Sequence, residues 1–451
     1  MATLTTSLSG WGRYPVQTCE LERPERYADL RPAAASVIAR GQGRSYGDAA
    51  LNEGGRVLLT ERVNRMLDFD AERGILRAEA GTTLAEILAV IVPRGWFLQV
   101  TPGTKFVSLG GCVAADVHGK NHHHNGSFGE HVVAIELILA DGSRVTCSPS
   151  EQPELLRATV GGMGLTGIIG EVTLKLAPVQ SAQVMVRHHA AGNLEQLFNL
   201  LEDPDSDDRY TVAWIDCLAR GRQLGRGVAM CGHHAALEEL PADAGNVFSA
   251  KPGRSRNVPF DFPAWVLNPL SIAAFNALYF RHEGKKQQPY LTGYDAYFYP
   301  LDSIGQWNRM YGKRGFVQYQ CVIPDAMAFE GIQALLMELS DSRRASFLAV
   351  LKRLGAQGGG MLSFPMAGYT LALDLPVRDN GLFALLNRLD EIVMRYGGRV
   401  YLAKDARLSA DAFRAMYPRY DEFMKIKNSV DPLHRFSSSL SRRLGIGGNA
   451  R

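Results

Sequence analysis

The sequence predicts an α+β protein of two domains. Its 451 residues exceed the length at which one compact core keeps growing. Up to about residue 181 it reads as short strands and helices broken by dense glycine-rich turns, with no regular strand–helix alternation. From residue 182 glycine thins out, long helical patterns appear and strands alternate or run apolar, which predicts a second domain over 182–398 built on an antiparallel sheet.

The first segment to carry information is Val37 to Asp48. An apolar run leads into Gly41-Gln42-Gly43-Arg44-Ser45-Tyr46-Gly47-Asp48. Glycine permits φ > 0 and close approach by a ligand, and successive free N–H groups make a nest for phosphate oxygens. No amphipathic helix follows Asp48, so this is not a Rossmann fingerprint, and the spacing is not that of a P-loop. A second cluster, Pro102-Gly103-Thr104 to Gly110-Gly111, suggests two loops holding one pyrophosphate-containing cofactor. Between them, Thr83-Leu84-Ala85-Glu86 is a capping box. Leu84, Ile87, Leu88 and Ile91 follow at helical spacing, and Pro93 and Gly95 end the helix.

Ala134 to Ala140 reads as a buried strand turning at Asp141-Gly142 into Arg144-Val145-Thr146. Gly161 to Gly167 is a third glycine loop feeding the strand Val172 to Leu176. In the second half, Phe316 to Ile323 is a strand closed by Pro324. Arg399 to Asp405 is strand-like, and helical stretches with Met416, Tyr417 and Phe423 follow it.

Composition excludes several classes. Hydrophobic content of 46% with 21% charged residues is ordinary for a soluble globular chain. A net charge of +3 gives no case for nucleic acid. The six cysteines form no CxxC pair, which argues against a disulfide framework or a structural zinc site and fits a reducing compartment. The first residues lack the features of a signal peptide, and no apolar run reaches membrane-span length, so the expected compartment is the cytoplasm.

Asp116-Val117-His118-Gly119-Lys120-Asn121-His122-His123-His124 invites a metal reading. Three adjacent histidines cannot converge on one point, and no acidic partner stands at i+3 or i+4, so no metal is expected. His118, beside Gly119, is the histidine placed near a cofactor ring. No GxSxG elbow supports serine hydrolase chemistry. Gln318 and Gln320, two apart, project from one face of a strand. Lys352 and Lys404 sit in apolar or strand-like contexts, where a desolvated ammonium is electrostatically useful.

Together these segments resemble the FAD domain of the vanillyl-alcohol-oxidase (PCMH-type) flavoenzymes, and within them the branch of decaprenylphosphoryl-β-D-ribose 2′-oxidases. The shared stretches are Ala39–Ala49, Pro102–Thr104, Ser108–Gly111, Asp116–Gly119, Gly126–Gly129 and Gly161–Ile169. They continue through Ala213–Trp214, Gly315–Pro324, Ser363–Pro365, Tyr401–Arg407, Met416–Arg419 and Val430–Pro432, so the resemblance spans nearly the whole chain. It implies an FAD domain of residues 1–181 plus 399–451 with the substrate domain 182–398 inserted. It assigns FAD contacts to Ala39, Arg40, Gly41, Gln42, Gly43, Arg44, Ser45, Tyr46, Gly47, Asp48 and Ala49 of the first loop. Gly103, Ser108, Leu109, Gly110, Gly111, Ala115, Asp116, Val117, His118, Ile169 and Tyr401 complete that assignment.

The same resemblance implies a catalytic set of Lys404, Tyr46 and His118, with Gln318, Gln320, Lys352 and Lys404 binding substrate. Relatives with covalent flavin often carry a histidine after the first glycine loop. Arg44-Ser45 holds that place here, so noncovalent FAD is expected. Ala372 stands where mycobacterial members carry the cysteine trapped by nitroaromatic inhibitors, which implies resistance to trapping with oxidation intact. The implied substrate is a lipid-linked pentose phosphate, oxidised at the 2′-hydroxyl in the first half of an epimerisation for cell-envelope glycans. A separate NAD(P)H-dependent keto-sugar reductase would complete it.

Residues 251–286, apolar and aromatic between Lys251, Arg254 and Arg256 and Arg281, Lys285 and Lys286, read as a lid for peripheral contact with the inner face of the plasma membrane. A soluble aldonolactone or alditol oxidase, and a non-catalytic flavin-containing partner in a glycan complex, stay open as alternatives.

Overall fold

The protein is described by a computed structural model covering residues 3–202, 208–249, 256–263, 265–286, 288–344, 346 and 348–447. Near the N-terminus β1 (Leu4–Ser9), β2 (Val16–Glu22), β3 (Val37–Arg40) and β4 (Arg56–Leu59) form a sheet ordered β1-β2-β4-β3. The β3–β4 and β2–β4 pairs are parallel, which releases the glycine loop at one end of the sheet.

A second sheet holds β5 (Met66–Asp70), β6 (Ile75–Glu79), β7 (Trp96–Leu98), β8 (Val132–Ile138), β9 (Arg144–Cys147) and β10 (Ile168–Pro178), with β10 pairing β6, β7 and β8. The expected strand at 134–140 runs from Val132 to Ile138 instead. The Leu139 N–H donates to Ser143 and the Gly142 N–H to Leu139, so the hairpin turn already begins there.

Helix α1 (Leu84–Ile91) carries the capping box read from the sequence: Thr83 accepts from the Glu86 N–H, and the Glu86 carboxylate accepts from Thr83. It buries Leu84, Ile87, Leu88 and Ile91. The short helices α2 (Leu109–Ala114), α3 (His122–Asn125) and α4 (Pro153–Thr159) follow.

The third sheet has eight strands in the order β15-β11-β13-β12-β18-β19-β17-β20. They are β11 (Gln183–Ala191), β12 (Tyr210–Ile215), β13 (Gly227–His234), β15 (Tyr290–Gly293), β17 (Phe316–Pro324), β18 (Ala349–Leu354), β19 (Gly368–Pro376) and β20 (Arg399–Val400). A separate parallel pair joins β14 (Arg256–Asn257) to β16 (Ile304–Gly305). One face of the large sheet is sealed by the apolar stripes of α5 (Leu194–Glu202), α8 (Ala328–Ser342) and α9 (Gly381–Arg395). Over the opposite face lie α6 (Pro269–Glu283) and α7 (Tyr294–Phe298). Alternation along each strand therefore gives the sheet one core face and one face left for a site.

The strand expected from Arg399 to Asp405 stops at Val400 and pairs with Cys321 and Val322 of β17. The Tyr401 carbonyl then accepts from the Lys404 and Asp405 N–H groups, so Tyr401–Asp405 is a turn. The tail continues through α10 (Ala410–Met416), α11 (Tyr420–Val430) and α12 (Ser439–Leu444) and returns to the first sheet. Val37 donates to the Arg435 carbonyl, and Ser437 donates to the Val37 carbonyl. Lys427, fully buried on α11, donates to the carbonyls of Leu165 and Phe436 and to Asp431 at 2.8–2.9 Å, tying the tail to the third glycine loop.

Candidate active site

A cavity of about 770 Å³ runs from the glycine loops across the open face of the large sheet. At the loop end, a Cβ on Gly41 would come within 1.9 Å of Ser108 Oγ, and one on Gly110 within 2.7 Å of Ala80. The two loops therefore touch, and Gly43 (φ 63°) requires the left-handed region. A Cβ on Gly103 would meet nothing within 4 Å. A slot walled by main chain and glycine, wide at the cavity side, suits a pyrophosphate.

Of the sequence-predicted cofactor residues, Ala39 to Tyr46 with Ala49, Gly103, Ser108, Gly110, Gly111, Ala115, Val117, His118, Ile169 and Tyr401 line this cavity. Four others stand behind its wall. Gly47 packs on the Asp405 carbonyl, and Leu109 is fully buried in the core. Asp48 pairs with Arg443 at 2.7 Å, and Asp116 accepts from Ser127, Ser363 and the Gly129 N–H. These four shape the cradle from the rear. Arg40 contributes main chain, because its guanidinium donates to the Ser9 and Ala50 carbonyls. Arg44 lies 4.0 Å over the Trp11 ring.

The sheet end is set by register. Gln318 pairs with Asp374, Gln320 with Ala372, Val350 with Ala372, Lys352 with Thr370 and Trp214 with Val350, so these side chains share one face. Gln318, Gln320, Lys352 and Lys404 all line the cavity, as does Ala372. His118 reaches across from the loop side: Lys352 Nζ is 3.3 Å from Nδ1, and Gln320 is 3.0 Å from Nε2. Burial and the neighbouring Lys352 hold its pKa well below the usual value, so the ring is neutral at pH 7 with both nitrogens engaged.

Lys404 Nζ lies 4.0 Å from the Tyr46 ring centre. Burial pushes it down to about 7, opposed by Asp374. Asp374 accepts from Gln318 at 2.5 Å and from Tyr311 at 3.3 Å, and burial raises it to about 7.

Sequence reasoning missed Lys120. Its ammonium donates to the Tyr297 carbonyl and sits 3.9 Å over that ring, and burial lowers it to about 7. Burial lowers Lys352 to about 8. Asp374, Met230 and His188 were missed too, and Trp214 had entered only through the shared stretch Ala213–Trp214, without a role. What places them in the site is cross-strand register, which a single chain does not display.

Of the histidine run, His122 holds main chain. His122 Nδ1 accepts from the Gly355 N–H at 2.9 Å, and burial lowers its pKa to about 4. Among the described residues no group of three or more His, Cys, Asp or Glu is arranged to hold a metal ion. Nor is any described helix long and apolar enough to cross a membrane.

A loop-walled slot opening onto polar, lysine-bearing sheet residues defines a flavoprotein oxidoreductase site. A sequence-family profile for an FAD binding domain matches residues 22–148, and one for D-arabinono-1,4-lactone oxidase matches 380–444. The chain is 35% identical to decaprenylphosphoryl-β-D-ribose oxidase of Mycolicibacterium smegmatis over 98% of both chains. It is 37% identical to an uncharacterised Streptomyces coelicolor protein over 81% of this chain and 100% of that one. It is 22% identical to L-gulono-1,4-lactone dehydrogenase of Mycobacterium tuberculosis over 96% of this chain and 98% of the relative. The chain belongs to the decaprenylphosphoryl-β-D-ribose oxidase family. It is an FAD-dependent oxidoreductase that acts on a sugar hydroxyl.

Proposed function

We propose that the substrate is a polyprenyl-phosphoryl pentose, oxidised at its 2′-hydroxyl to the 2-keto sugar. One observation carries this reading: Lys120, Lys352 and Lys404 are buried around the reaction end, and only for Lys404 does a carboxylate, Asp374, oppose the cost of burial. A cavity with that excess of cationic capacity is complementary to an anionic substrate, whereas a neutral lactone leaves it uncompensated. A phosphodiester between sugar and lipid supplies the anion.

The residues of the loop-walled slot, Gly41 to Ser45 with Ser108 to Gly111, would hold the FAD pyrophosphate. His118, Tyr401 and Lys404 would flank its ring, and no covalent bond is proposed. Bound FAD supplies the hydride acceptor. The protein's own work is orientation and proton handling. Gln318 and Gln320 present amides to the sugar, with Gln318 fixed by Asp374. Lys404, near neutrality, holds the hydroxyl and takes up its proton at Nζ. Lys120 and Lys352 hold the phosphate, and His118 keeps Lys352 in place. The keto product is then a substrate for a separate NAD(P)H-dependent reductase.

The D-arabinono-1,4-lactone oxidase match over 380–444 favours a second reading, oxidation of free aldonolactones. Anaerobic mixing decides between them. Polyprenyl-phosphoryl ribose is expected to bleach the flavin within seconds while free lactones and polyols do not. Bleaching by free sugars alone would overturn the first reading, and bleaching by no sugar would favour a non-catalytic flavin partner.

The outer surface supports a peripheral membrane contact at the cytoplasmic face. Phe260, Trp265, Leu270 and Leu278 are exposed at 62%, 74%, 83% and 68%, next to Arg281 and Lys285. Lys251 and Arg254, counted in the sequence reading of this lid, lie outside the described residues. Leu270→Glu with Leu278→Glu is expected to release the holoprotein from sedimenting anionic liposomes; unchanged sedimentation would exclude this face.

A further inference from the structure

We infer that the space between α6 and the open face of the large sheet is a binding corridor for the first isoprene units of the lipid, a proposal that rests on the substrate reading above. The cavity does not end at the polar reaction centre. From Lys352 it continues over Val350 of β18, Leu348 just before that strand, Val212 and Trp214 of β12 and Met230 of β13. Val350 pairs with Trp214 and Val212 with Met230, so these side chains form one continuous strip. From Gln320 on β17 to Met230 on β13 is four strand steps, about 19 Å at ordinary spacing. A pentose fills only the first part of that length. Beyond the lysines its floor of Val350, Trp214, Val212 and Met230 is apolar and suits hydrocarbon joined to the sugar through the anion that the lysines await, up to the polar far end lined by His188, Glu283 and Lys286.

The roof is α6. Asn268 caps it by accepting from the Leu270 and Ser271 N–H groups. Tyr279 packs over Trp214 with ring centres 4.8 Å apart. Two polar contacts pin the helix down. Asn276 donates to Asp216 at 2.7 Å, and Glu283 lies 3.1 Å from His188, whose other nitrogen meets the Tyr290 hydroxyl at 3.0 Å. Inward the helix sets Ile272 and Tyr279 between these two polar pins, and outward it exposes Leu270 and Leu278. An ordinary surface helix is polar on its outer side. A helix that roofs a lipid path and also faces a lipid surface has reason to expose leucines on its outer side.

The test compares flavin reduction by two ribosyl phosphodiesters, one esterified with farnesol and one with methanol, in wild type, Met230→Gln and Val350→Thr. FAD content checks that each variant folds. Wild type is expected to favour the farnesyl substrate in reduction rate over Kd by about a hundredfold, and each variant to cut that preference about tenfold. Equal use of both substrates by wild type, or an unchanged preference in both variants, would overturn the corridor while leaving the substrate class intact. Failure of either phosphodiester to reduce the wild-type flavin would instead overturn the substrate reading. Leu278→Gln, on the outer face of α6, is expected to keep the preference. If it alone abolishes it, the chain lies outside the helix and the corridor is wrong.

Discussion

Lys404 stands with its ammonium 4.0 Å from the centre of the Tyr46 ring, and its own turn supports that ring, because the Tyr46 N–H donates to the Ala403 carbonyl at 3.0 Å. The cofactor loop and the returning tail thus position one cation jointly. The ring face and Asp374 favour the charged form against burial.

Lys404→Met is expected to leave a yellow holoprotein whose flavin is reduced by substrate slower by on the order of a hundredfold or more. Tyr46→Phe keeps the ring and costs only a few-fold. Tyr46→Leu and Asp374→Asn each remove support for the ammonium, so the Lys404 limb of the pH–rate profile shifts to lower pH. Stopped-flow reduction across pH 6–9 measures both effects, and an unmoved limb in Asp374→Asn would refute the coupling.

The three lysines also make stability depend on pH. Burial lowers Lys352 from 10.5 to about 8, and Lys120 and Lys404 to about 7. Between those values and the unfolded-state value the unfolded chain binds more protons, so stability rises with pH there. From pH 8 to 10 the thermal midpoint of the apoprotein is expected to climb more steeply for wild type than for Lys352→Met. Parallel curves would contradict it.

Acid precipitation of the holoprotein is expected to leave all the flavin in the supernatant. Arg44, stacked on Trp11, and Ser45 occupy the place where relatives with covalent flavin carry a histidine. Yellow colour retained in the pellet would show a covalent bond from another residue.

Lys427→Met leaves the Asp431 carboxylate buried without its cation, a loss of about 3 kcal/mol. Urea midpoints of the two holoproteins measure it. Because Lys427 also holds the Leu165 carbonyl, FAD is expected to dissociate faster from the variant.

What the sequence displayed was local. The Thr83–Glu86 box, the glycine loops and the shared face of Gln318 and Gln320 each depend on residues a few positions apart, and each has the geometry its pattern implies. The site's floor was not legible. Trp214, Met230 and Val350 become neighbours only because β12, β13 and β18 pair, and nothing in one strand encodes its partner's register. Lys120 was hidden differently. It read as part of a polar loop, whereas its carbonyl accepts from Thr211 on β12 and draws the side chain into the interior. Arg399–Asp405 read as one strand because composition does not announce a turn built from main-chain bonds to Tyr401.

The return of the tail has a consequence for how the protein is made. Tyr401, Lys404 and the Arg443 that pairs with Asp48 and Asp405 leave the ribosome well after the loop that they brace. A nascent chain exposes its first glycine loop long before the partners that shape it exist. Flavin capture therefore waits for this later segment, and chains truncated before Tyr401 are expected to be colourless, so yellow colour reports that translation has passed it.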